Sequence, residues 1–212
     1  MIKVENIDTW GFEHAIRGMR NPLNSWARSD SFFGYEAYSG EFVPDLKIGE
    51  NDLKLMRQLY VGGQPHRKYL RQIFAVMDIT APLYWWKEFD TYKVGTTANS
   101  CSTMHKIAAK EFTLSDFSTE HLVGKSVAAL QNVLDVMNLE REHYLATKDK
   151  DCWWQLIQLL PSSYNQRRTV SMTYENVMNM LDYREGHKLD EWREFCKILK
   201  QLPYVEVIRN GR

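Results

Sequence analysis

The stretch "LLPSSYNQRRTVSMTYENVMNMLDYREGHKLDEWREF", Leu159 to Phe195, predicts a short extended piece followed by two helices. "TVSMTY" is dense in residues that favour β-structure. "ENVMNMLDYR" and "LDEWREFCKILKQL" carry apolar residues at helical spacing, and Pro203 ends the second helix. In that second helix one face is formed by Leu189, Trp192, Cys196 and Leu199.

Upstream of this stretch, residue patterns of the same kinds predict further strands and helices. "MIKVEN" is a candidate short strand. Residues 20–44 are rich in turn formers and aromatic residues, which predicts an irregular segment with short structured pieces. Asn51 can cap a helix through "DLKLMRQLYV", which Gly62-Gly63 would end. "IFAVMDI", Ile73 to Ile79, predicts a buried strand.

Three more elements complete the predicted architecture. Pro82 suits the first turn of a helix through "LYWWKEFDTY". The longest helix is predicted from Thr119 to Ala146, where Leu122, Leu130, Val133 and Met137 recur at helical spacing. Asp151 can cap a helix through "CWWQLIQLL" that ends at Pro161. The expected fold is α+β, a small sheet packed with several helices, in a single domain over residues 1–212.

Composition limits the function classes. The 212 residues include 27 Lys and Arg and 27 Asp and Glu, so the net charge is zero and nucleic-acid binding is not expected. There is no apolar run of transmembrane length and no signal core, which predicts a cytoplasmic protein without a membrane partner. The three cysteines form no CxxC pair and the histidines no HExxH, so no metal site is expected.

The segment "KVGTTANSCSTMHK", Lys93 to Lys106, is crowded with hydroxyl groups. It is too polar for a core strand and lacks helical periodicity, so a loop is predicted. Turn chemistry alone would explain Asn and Ser residues that bond their own backbone. The density of hydroxyl groups favours the other interpretation, a loop that faces a ligand.

These motifs together resemble the flavin-dependent thymidylate synthases. The family's Leu-Pro, "LMNFL"-type helix core, Arg, His and Trp correspond to Leu160-Pro161, "VMNML" (177–181), Arg184, His187 and Trp192. The family signature R-H-R-x-x-S-x-N-x-x-S-x-R-Y follows a strand ending in Ala-Pro, here Ala81-Pro82. With one inserted residue, its second half corresponds to Thr97, Asn99 and Ser102.

Several arginines and a histidine of the family pattern are replaced. The Arg-His-Arg triplet falls on Tyr92-Lys93-Val94, and the next signature Arg falls on Met104. Another family Arg falls on Ile157, and the strand His that faces the flavin falls on Gln72. These departures leave three alternatives for a divergent relative: a synthase, an enzyme that acts on another substrate, or a protein that kept the fold and lost the chemistry.

The resemblance implies a set of site residues. The expected substrate-binding residues are Lys87, Glu88, Ser102 and Arg184, and the expected cofactor-binding residues are Tyr92, Lys93, Thr97, Asn99, Asn179 and His187. Each also has a structural interpretation. Arg184 can complement a helix dipole, Asn179 can cap a neighbouring backbone, and Lys87, Glu88, Lys93 and His187 can be ordinary surface residues. No catalytic residue is assigned.

Two functional hypotheses follow from the resemblance. The first is an enzyme that methylates or otherwise modifies C5 of dUMP in a homotetramer, using FAD with NADPH and methylenetetrahydrofolate. The second is a catalytically inactive relative that acts as a nucleotide-binding or scaffold protein. The lost triplet favours the second, whereas Arg184, Asn179 and Ser102 favour the first.

Overall fold

A four-stranded antiparallel sheet and a two-stranded hairpin form the β-structure of the computed structural model. The structure describes residues 1–38 and 41–210, with residues 35–38 and 41–45 described by their backbone alone. The strands are β1 (Lys3–Trp10), β2 (Phe32–Tyr38), β3 (Glu41–Lys47), β4 (Phe74–Pro82), β5 (Thr96–Ser100) and β6 (Asn165–Thr173). The strand order in the main sheet is β1-β4-β6-β5, and β2 pairs with β3.

Helices surround this sheet. They are α1 (Phe12–Arg20), α2 (Glu50–Val61), α3 (Leu83–Phe89), α4 (Thr103–Lys106), α5 (Lys125–Thr147), α6 (Lys150–Leu159), α7 (Tyr174–Arg184), α8 (Asp190–Lys200) and α9 (Val205–Arg209). Short 3-10 segments cover Asn21–Leu23, Trp26–Arg28, Gln64–Gln72 and Leu114–Asp116. Among the helices of residues 1–38 and 41–210, none has both the length and the apolar character that crossing a bilayer requires. The predicted α+β class, a small sheet packed with several helices, is confirmed.

The strand β4 positions the main core because its side chains alternate between two environments. Ala75, Met77 and Ile79 are fully buried, whereas the residues between them are half-buried. In the paired strand β6, Val170 lies opposite Met77 and Met172 lies opposite Ala75. This alternation is the period of two expected for a sheet with one face against a core.

A second apolar cluster lies between α5, α6 and the chain that precedes them. Its buried residues are Ile107, Ala108, Phe112, Phe117, Leu130, Leu134, Met137 and Leu156. The two helices are joined by Lys148 and Asp149 alone, so they form an antiparallel hairpin.

Several predicted boundaries were wrong. The predicted loop after Lys93 contains the strand β5, because its backbone pairs with β6 from Thr96↔Met172 to Ser100↔Arg168. The helix α5 begins at Lys125 and not at Thr119, after Gly124 with a φ of 49°. The sequence interpretation also missed α1, whereas the short structured pieces expected within residues 20–44 are present as β2 and part of β3.

The predicted helix caps were also wrong. Asn51 lies inside α2, and its backbone N–H donates to the Asp30 carboxylate at 2.9 Å. For α6 the cap is Asp149, whose side chain accepts from the N–H of Asp151 at 2.9 Å. Pro82 ends β4 and immediately precedes α3. The predicted end of α2 at Gly62 is confirmed.

Candidate functional site

Three side chains converge on one oxygen of Glu88. Arg184 Nη1 lies 2.6 Å from Glu88 Oε2, and the indole N–H of Trp192 donates to the same oxygen at 3.2 Å. His187 Nε2 lies 3.2 Å from it. Together with Tyr92, whose hydroxyl accepts from Arg184 Nε at 3.1 Å, these residues are called the Glu88 cluster.

The cluster forms where the ends of three helices meet. Glu88 lies in the last turn of α3, Arg184 ends α7, and Trp192 lies in the first turn of α8. Aromatic packing holds α3 against α8, since Trp85 lies 4.8 Å from Trp192 and 5.4 Å from Phe195 between ring centroids. Burial of such large rings fixes the helix ends, and with them the charged residues that they carry.

The guanidinium of Arg184 is held on several sides. Its central carbon lies 4.9 Å from the centroid of the Trp192 ring and 5.7 Å from that of the Tyr92 ring. The side chain is nevertheless 20% exposed, and that of Glu88 is 34% exposed. Cation–π contact and a charge-assisted hydrogen bond orient the guanidinium before any ligand arrives.

Two polar atoms of this ion pair have no hydrogen-bond partner within the described part of the chain. All donors to Glu88 use Oε2, which leaves Oε1 available. Arg184 uses Nε and Nη1, which leaves Nη2 available. The pair therefore presents one anionic acceptor and one cationic donor side by side, in fixed positions and partly open to solvent.

The orientation of His187 follows from its second ring nitrogen. The backbone N–H of Leu189 donates to Nδ1 of His187 at 3.2 Å. In the neutral ring the proton must then lie on Nε2, the nitrogen that faces Glu88. The Trp192 N–H donates to Glu88 Oε2, and His187 Nε2 lies 3.2 Å from the same oxygen.

Behind the Glu88 cluster, α7 holds the chain that leads into β5. Asn176 is buried, and its side-chain amide donates to the carbonyl of Val94 at 2.8 Å. The carbonyl of Gly95 accepts from the N–H of Thr173 at 3.0 Å. Gly95 has a φ of 80°, and a Cβ there would lie 2.6 Å from Asn176 Oδ1. Sequence reasoning missed Asn176, although it follows the helix cap Thr173 by three residues.

Asn179, the asparagine that the sequence singled out, lies one turn further along α7. It is half-buried, and its side chain forms no hydrogen bond with any described residue. Tyr92 and Lys93 precede β5, and the Lys93 side chain is exposed without an ion pair to the described residues. The structure therefore places four predicted residues in the Glu88 cluster, namely Glu88, Tyr92, Arg184 and His187.

The remaining predicted residues lie outside that cluster. Thr97 and Asn99 are exposed on β5, the edge strand of the sheet. Ser102 caps α4 and accepts from the N–H of His105 at 3.0 Å. Lys87 is exposed on α3. Within the described residues, no hydrogen bond or ion pair connects these four side chains to the Glu88 cluster.

A second acidic residue, Glu191, helps to hold together two of the helices that carry the Glu88 cluster. Glu191 is buried and accepts a hydrogen bond from the hydroxyl of Tyr84. Burial raises the pKa of Tyr84, and the hydrogen bond to Glu191 raises it further. The phenol therefore stays protonated at neutral pH and acts as a donor, which holds the first turn of α8 against α3.

Gln72, which takes the place of the flavin-facing His in the resemblance, lies elsewhere. It ends the 3-10 segment Gln64–Gln72 and lines a cavity of about 610 Å³ with residues that include Met19, Leu59, His66 and Tyr69. No member of the Glu88 cluster lines this cavity.

Two solved structures are similar to this chain over nearly its whole length. One is the crystal structure of thymidylate synthase X from Helicobacter pylori with FAD and dUMP, with a TM-score of 0.70 and 16% identity over 98% of this chain and 96% of that one. Another is a flavin-dependent thymidylate synthase from the same organism, complexed with FAD and dUMP, with a TM-score of 0.71 and 15% identity over 98% of each chain. No protein-family model matches the sequence, and no curated protein does. The chain thus has the fold of the flavin-dependent thymidylate synthases.

Proposed function

We propose that this protein is a flavin-dependent enzyme of the thymidylate synthase type, which methylates or otherwise modifies C5 of dUMP. In this proposal the whole chain, residues 1–212, acts as one domain of a cytoplasmic homotetramer. FAD is the cofactor, and NADPH and methylenetetrahydrofolate are the co-substrates.

The observation that carries the proposal is the pair of available atoms in the Glu88 cluster. Glu88 Oε1 can accept the N–H of a uracil ring, and Arg184 Nη2 can donate to a phosphate or a ring carbonyl. Tyr92 and Trp192 add aromatic surface beside the guanidinium. This arrangement is found on a fold whose examples from Helicobacter pylori were crystallised with FAD and dUMP.

The predicted cofactor-binding residues outside the cluster fit a flavin nucleotide in chemical type. A flavin ring presents amide-like donors and acceptors. The half-buried amide of Asn179, which has no partner among the described residues, can complement them. The diphosphate of the flavin nucleotide requires cations and hydroxyl or amide donors, and Lys93, Thr97 and Asn99 offer these groups on an exposed edge. When bound, FAD supplies the redox chemistry that side chains lack.

The residues of the chain then have distinct roles in the proposal. Glu88 and Arg184 bind and orient the nucleotide, and Ser102 and Lys87 contribute further polar contacts from the start of α4 and from α3. Tyr92 and His187 orient the Arg184–Glu88 ion pair and line the part of the site that holds the flavin. The proposal requires no nucleophilic cysteine, and it assigns no role to the buried thiol of Cys196.

A second candidate function is nucleotide binding without turnover. The specific observation that favours it is the replacement of Arg-His-Arg by Tyr92-Lys93-Val94, which leaves Lys93 as the single cation of that triplet. A flavin diphosphate held by fewer cations binds more weakly, because each charge-assisted hydrogen bond contributes about 1.5–3 kcal/mol.

Titration with FAD and with dUMP separates these possibilities. FAD binding is followed by quenching of flavin fluorescence, dUMP binding by calorimetry, and turnover by chromatographic detection of dTMP after addition of NADPH and methylenetetrahydrofolate. The enzyme is supported if both ligands bind and dTMP forms. The other outcome is that dUMP binds but FAD does not bind at concentrations up to about 1 mM, which corresponds to a binding free energy of about 4 kcal/mol. That outcome supports the second function and contradicts the first.

A further inference from the structure

The α5–α6 hairpin carries three metal-ligating side chains on its two facing helices. They are Glu140 and His143 of α5 and Cys152 of α6, which are called the hairpin triad. The carboxylate oxygen, the ring nitrogen and the sulfur all lie within 4.8 Å of one another. None of them belongs to the Glu88 cluster or to the residues assigned to nucleotide or flavin.

We propose that the hairpin triad binds a divalent transition-metal ion of intermediate softness, with Zn²⁺ as the preferred ion. The site is independent of the proposed enzymatic function. Its three ligands join α5 to α6 near the short connection between the two helices.

Local structure explains why the three groups meet. Glu140 and His143 are three residues apart on a helix, so their side chains share one face. The connection is only two residues long, because Lys148 adopts a φ of 59° and Asp149 immediately caps α6. This tight reversal places the first turn of α6, with Cys152, opposite that face of α5.

The scaffold beneath the triad is rigid. Leu134 and Met137 of α5 and Leu156 of α6 are completely buried in the second apolar cluster. The two helices are thus fixed by packing, and only side-chain rotation is needed for the ligands to close on an ion. Glu140 and Cys152 are half-buried and His143 is exposed, so an ion has access from solvent.

The distances are compatible with tetrahedral coordination after a small closure. Bonds from Zn²⁺ to His, Cys and carboxylate ligands are about 2.0–2.3 Å, which puts ligand atoms about 3.3–3.8 Å from one another. The present separations of up to 4.8 Å must therefore shrink by about 1 Å. Three protein ligands leave the fourth position for a water molecule.

The ligand types select among metals. Imidazole nitrogen and thiolate sulfur suit Zn²⁺, Co²⁺, Ni²⁺ and copper ions, whereas Mg²⁺ and Ca²⁺ prefer oxygen ligands throughout. The single carboxylate of the triad supplies too few oxygen ligands for those hard cations. Millimolar Mg²⁺ should therefore not compete for this site.

The electrostatic surroundings also favour a cation. The carboxylates of Glu140, Asp149 and Asp151 act electrostatically on the Cys152 thiol. Their negative potential attracts a divalent ion. On binding, the thiol proton is released to solvent as the metal–sulfur bond forms.

Titration of tag-free protein with Co²⁺ tests the proposal. A thiolate ligand produces a charge-transfer band in the near ultraviolet, and tetrahedral Co²⁺ also absorbs in the visible region. We expect both bands to saturate at one Co²⁺ per chain and to disappear on addition of Zn²⁺. Absence of the near-ultraviolet band in the wild-type protein would overturn the proposal.

Variants identify the ligands. Cys152→Ser should abolish the charge-transfer band, while His143→Gln and Glu140→Gln should each weaken Co²⁺ binding by about 10-fold to 100-fold or more, since loss of even an outer-shell partner has that effect. Cys101→Ser removes an exposed thiol outside the triad and is the matched control. Loss of the band in Cys101→Ser, or its retention in Cys152→Ser, contradicts the assignment.

Folding must be checked for each variant by circular dichroism. His143 is exposed, so His143→Gln should leave the helix content unchanged and provides a test even if Cys152→Ser folds poorly. A normal affinity in folded His143→Gln would also count against the triad. FAD-free protein should bind Co²⁺ as well as FAD-loaded protein does, so failure of the proposed enzymatic function leaves this test intact.

Discussion

Arg184 and Glu88 are 96 positions apart in the sequence, and their side chains form an ion pair with 2.6 Å between Nη1 and Oε2. The pair is only partly buried, and each partner keeps one polar atom without a partner among the described residues. A guanidinium that already bonds an internal carboxylate gains less binding free energy from a phosphate than an unpaired guanidinium would. The arrangement is suited to recognition of a ligand that uses both charges at once.

Replacing Arg184 with Ala should weaken dUMP binding by roughly thirtyfold or more. Truncating one partner of a hydrogen-bonded charge pair costs about 2–5 kcal/mol, and each 1.4 kcal/mol is about tenfold in affinity. Arg184→Lys should recover part of the loss, since an ammonium group does not reproduce the fork of the guanidinium.

Calorimetric titration with dUMP measures this effect, and Arg17→Ala on the exposed side of α1 is the control. If Arg184 only complements the dipole of α7, it contributes about 0.3–1 kcal/mol to stability and nothing to binding. Equal dUMP affinities in the wild type and in Arg184→Ala would support that structural role.

Replacing Glu88 with Gln should also weaken dUMP binding, by about tenfold or more. The change removes a charged acceptor, and hydrogen bonds to charged groups contribute about 1.5–3 kcal/mol. It also releases Arg184, His187 and Trp192 from their common partner. Glu185→Gln, at an exposed position just beyond α7, is the control. Tighter binding in Glu88→Gln would mean that Glu88 competes with the phosphate for Arg184.

The protein should be a homotetramer in solution. The resemblance implies a site assembled from several subunits, which would complete the partly open Glu88 cluster and the exposed edge strand β5. Light scattering coupled to size exclusion at micromolar concentration measures the mass directly. A mass close to 25.0 kDa, that of one chain, would contradict the prediction.

Replacing Gly95 with Ala should destabilise the protein. The φ of 80° is unfavourable for a residue with a Cβ, and the new atom would lie 2.6 Å from Asn176 Oδ1. A left-handed conformation alone costs about 1–2 kcal/mol, and displacement of Asn176 adds to this. Urea unfolding measures the change. Gly186→Ala is the control, because a Cβ there meets nothing within 4 Å; equal effects of the two changes would refute the argument.

Replacing Asp52 with Ala should lower the free energy of unfolding by about 3–5 kcal/mol, as loss of one partner of a buried ion pair typically does. Arg20 Nε lies 2.5 Å from Asp52 Oδ1, and the two side chains are 4% and 0% exposed. The change leaves a buried guanidinium without its carboxylate. Glu194→Ala, which removes a partner of an exposed pair with Lys197, should cost less than about 1 kcal/mol. Denaturant unfolding compares the two, and a similar loss in both would be inconsistent with this account.

The carboxylate of Asp52 should also make the free energy of unfolding depend on pH in acidic solution. Burial by itself raises the pKa of Asp52, but hydrogen bonds from Ser31, Ser29 and Arg20 outweigh it and hold the pKa below its ordinary value of 3.8. A lowered pKa in the folded state means that the contribution is complete above the unfolded pKa of about 3.9 and is lost as the pH falls through the folded value. Unfolding curves between about pH 6 and pH 2 should therefore show a loss below about pH 4 that is smaller in Asp52→Asn. An equal slope in both proteins would exclude this contribution.

Strong local patterns predicted several elements correctly. The alternation in β4, the helical spacing in α7 and α8, and the glycines after α2 all correspond to elements of the structure. The predicted positions of Glu88, Tyr92, Arg184 and His187 fall into one cluster, although their binding of a ligand stays a prediction. These features could be found because the residues concerned are close in sequence or belong to a recognisable family motif.

Other features could not be found in this way. The strand β5 has the composition of a loop and becomes a strand because the backbone of β6 offers hydrogen bonds from 70 or so positions away. The cap of α2 comes from Asp30, and the buried partner of Asp52 is Arg20. Hydrogen bonds between distant segments leave no periodic signal in either segment.

By itself, the sequence determined the class of the fold, the main helices and the chemical types of residue around Arg184, since apolar periodicity and glycine or proline positions act locally. Only the tertiary structure determined which polar and charged side chains contact one another. Helix packing through Trp85, Trp192 and Phe195 brought Glu88 to Arg184, and the tight α5–α6 connection brought Cys152 to Glu140 and His143. Contacts of this kind depend on the burial of apolar surface elsewhere in the chain, which fixes the backbone before any polar side chain finds its partner.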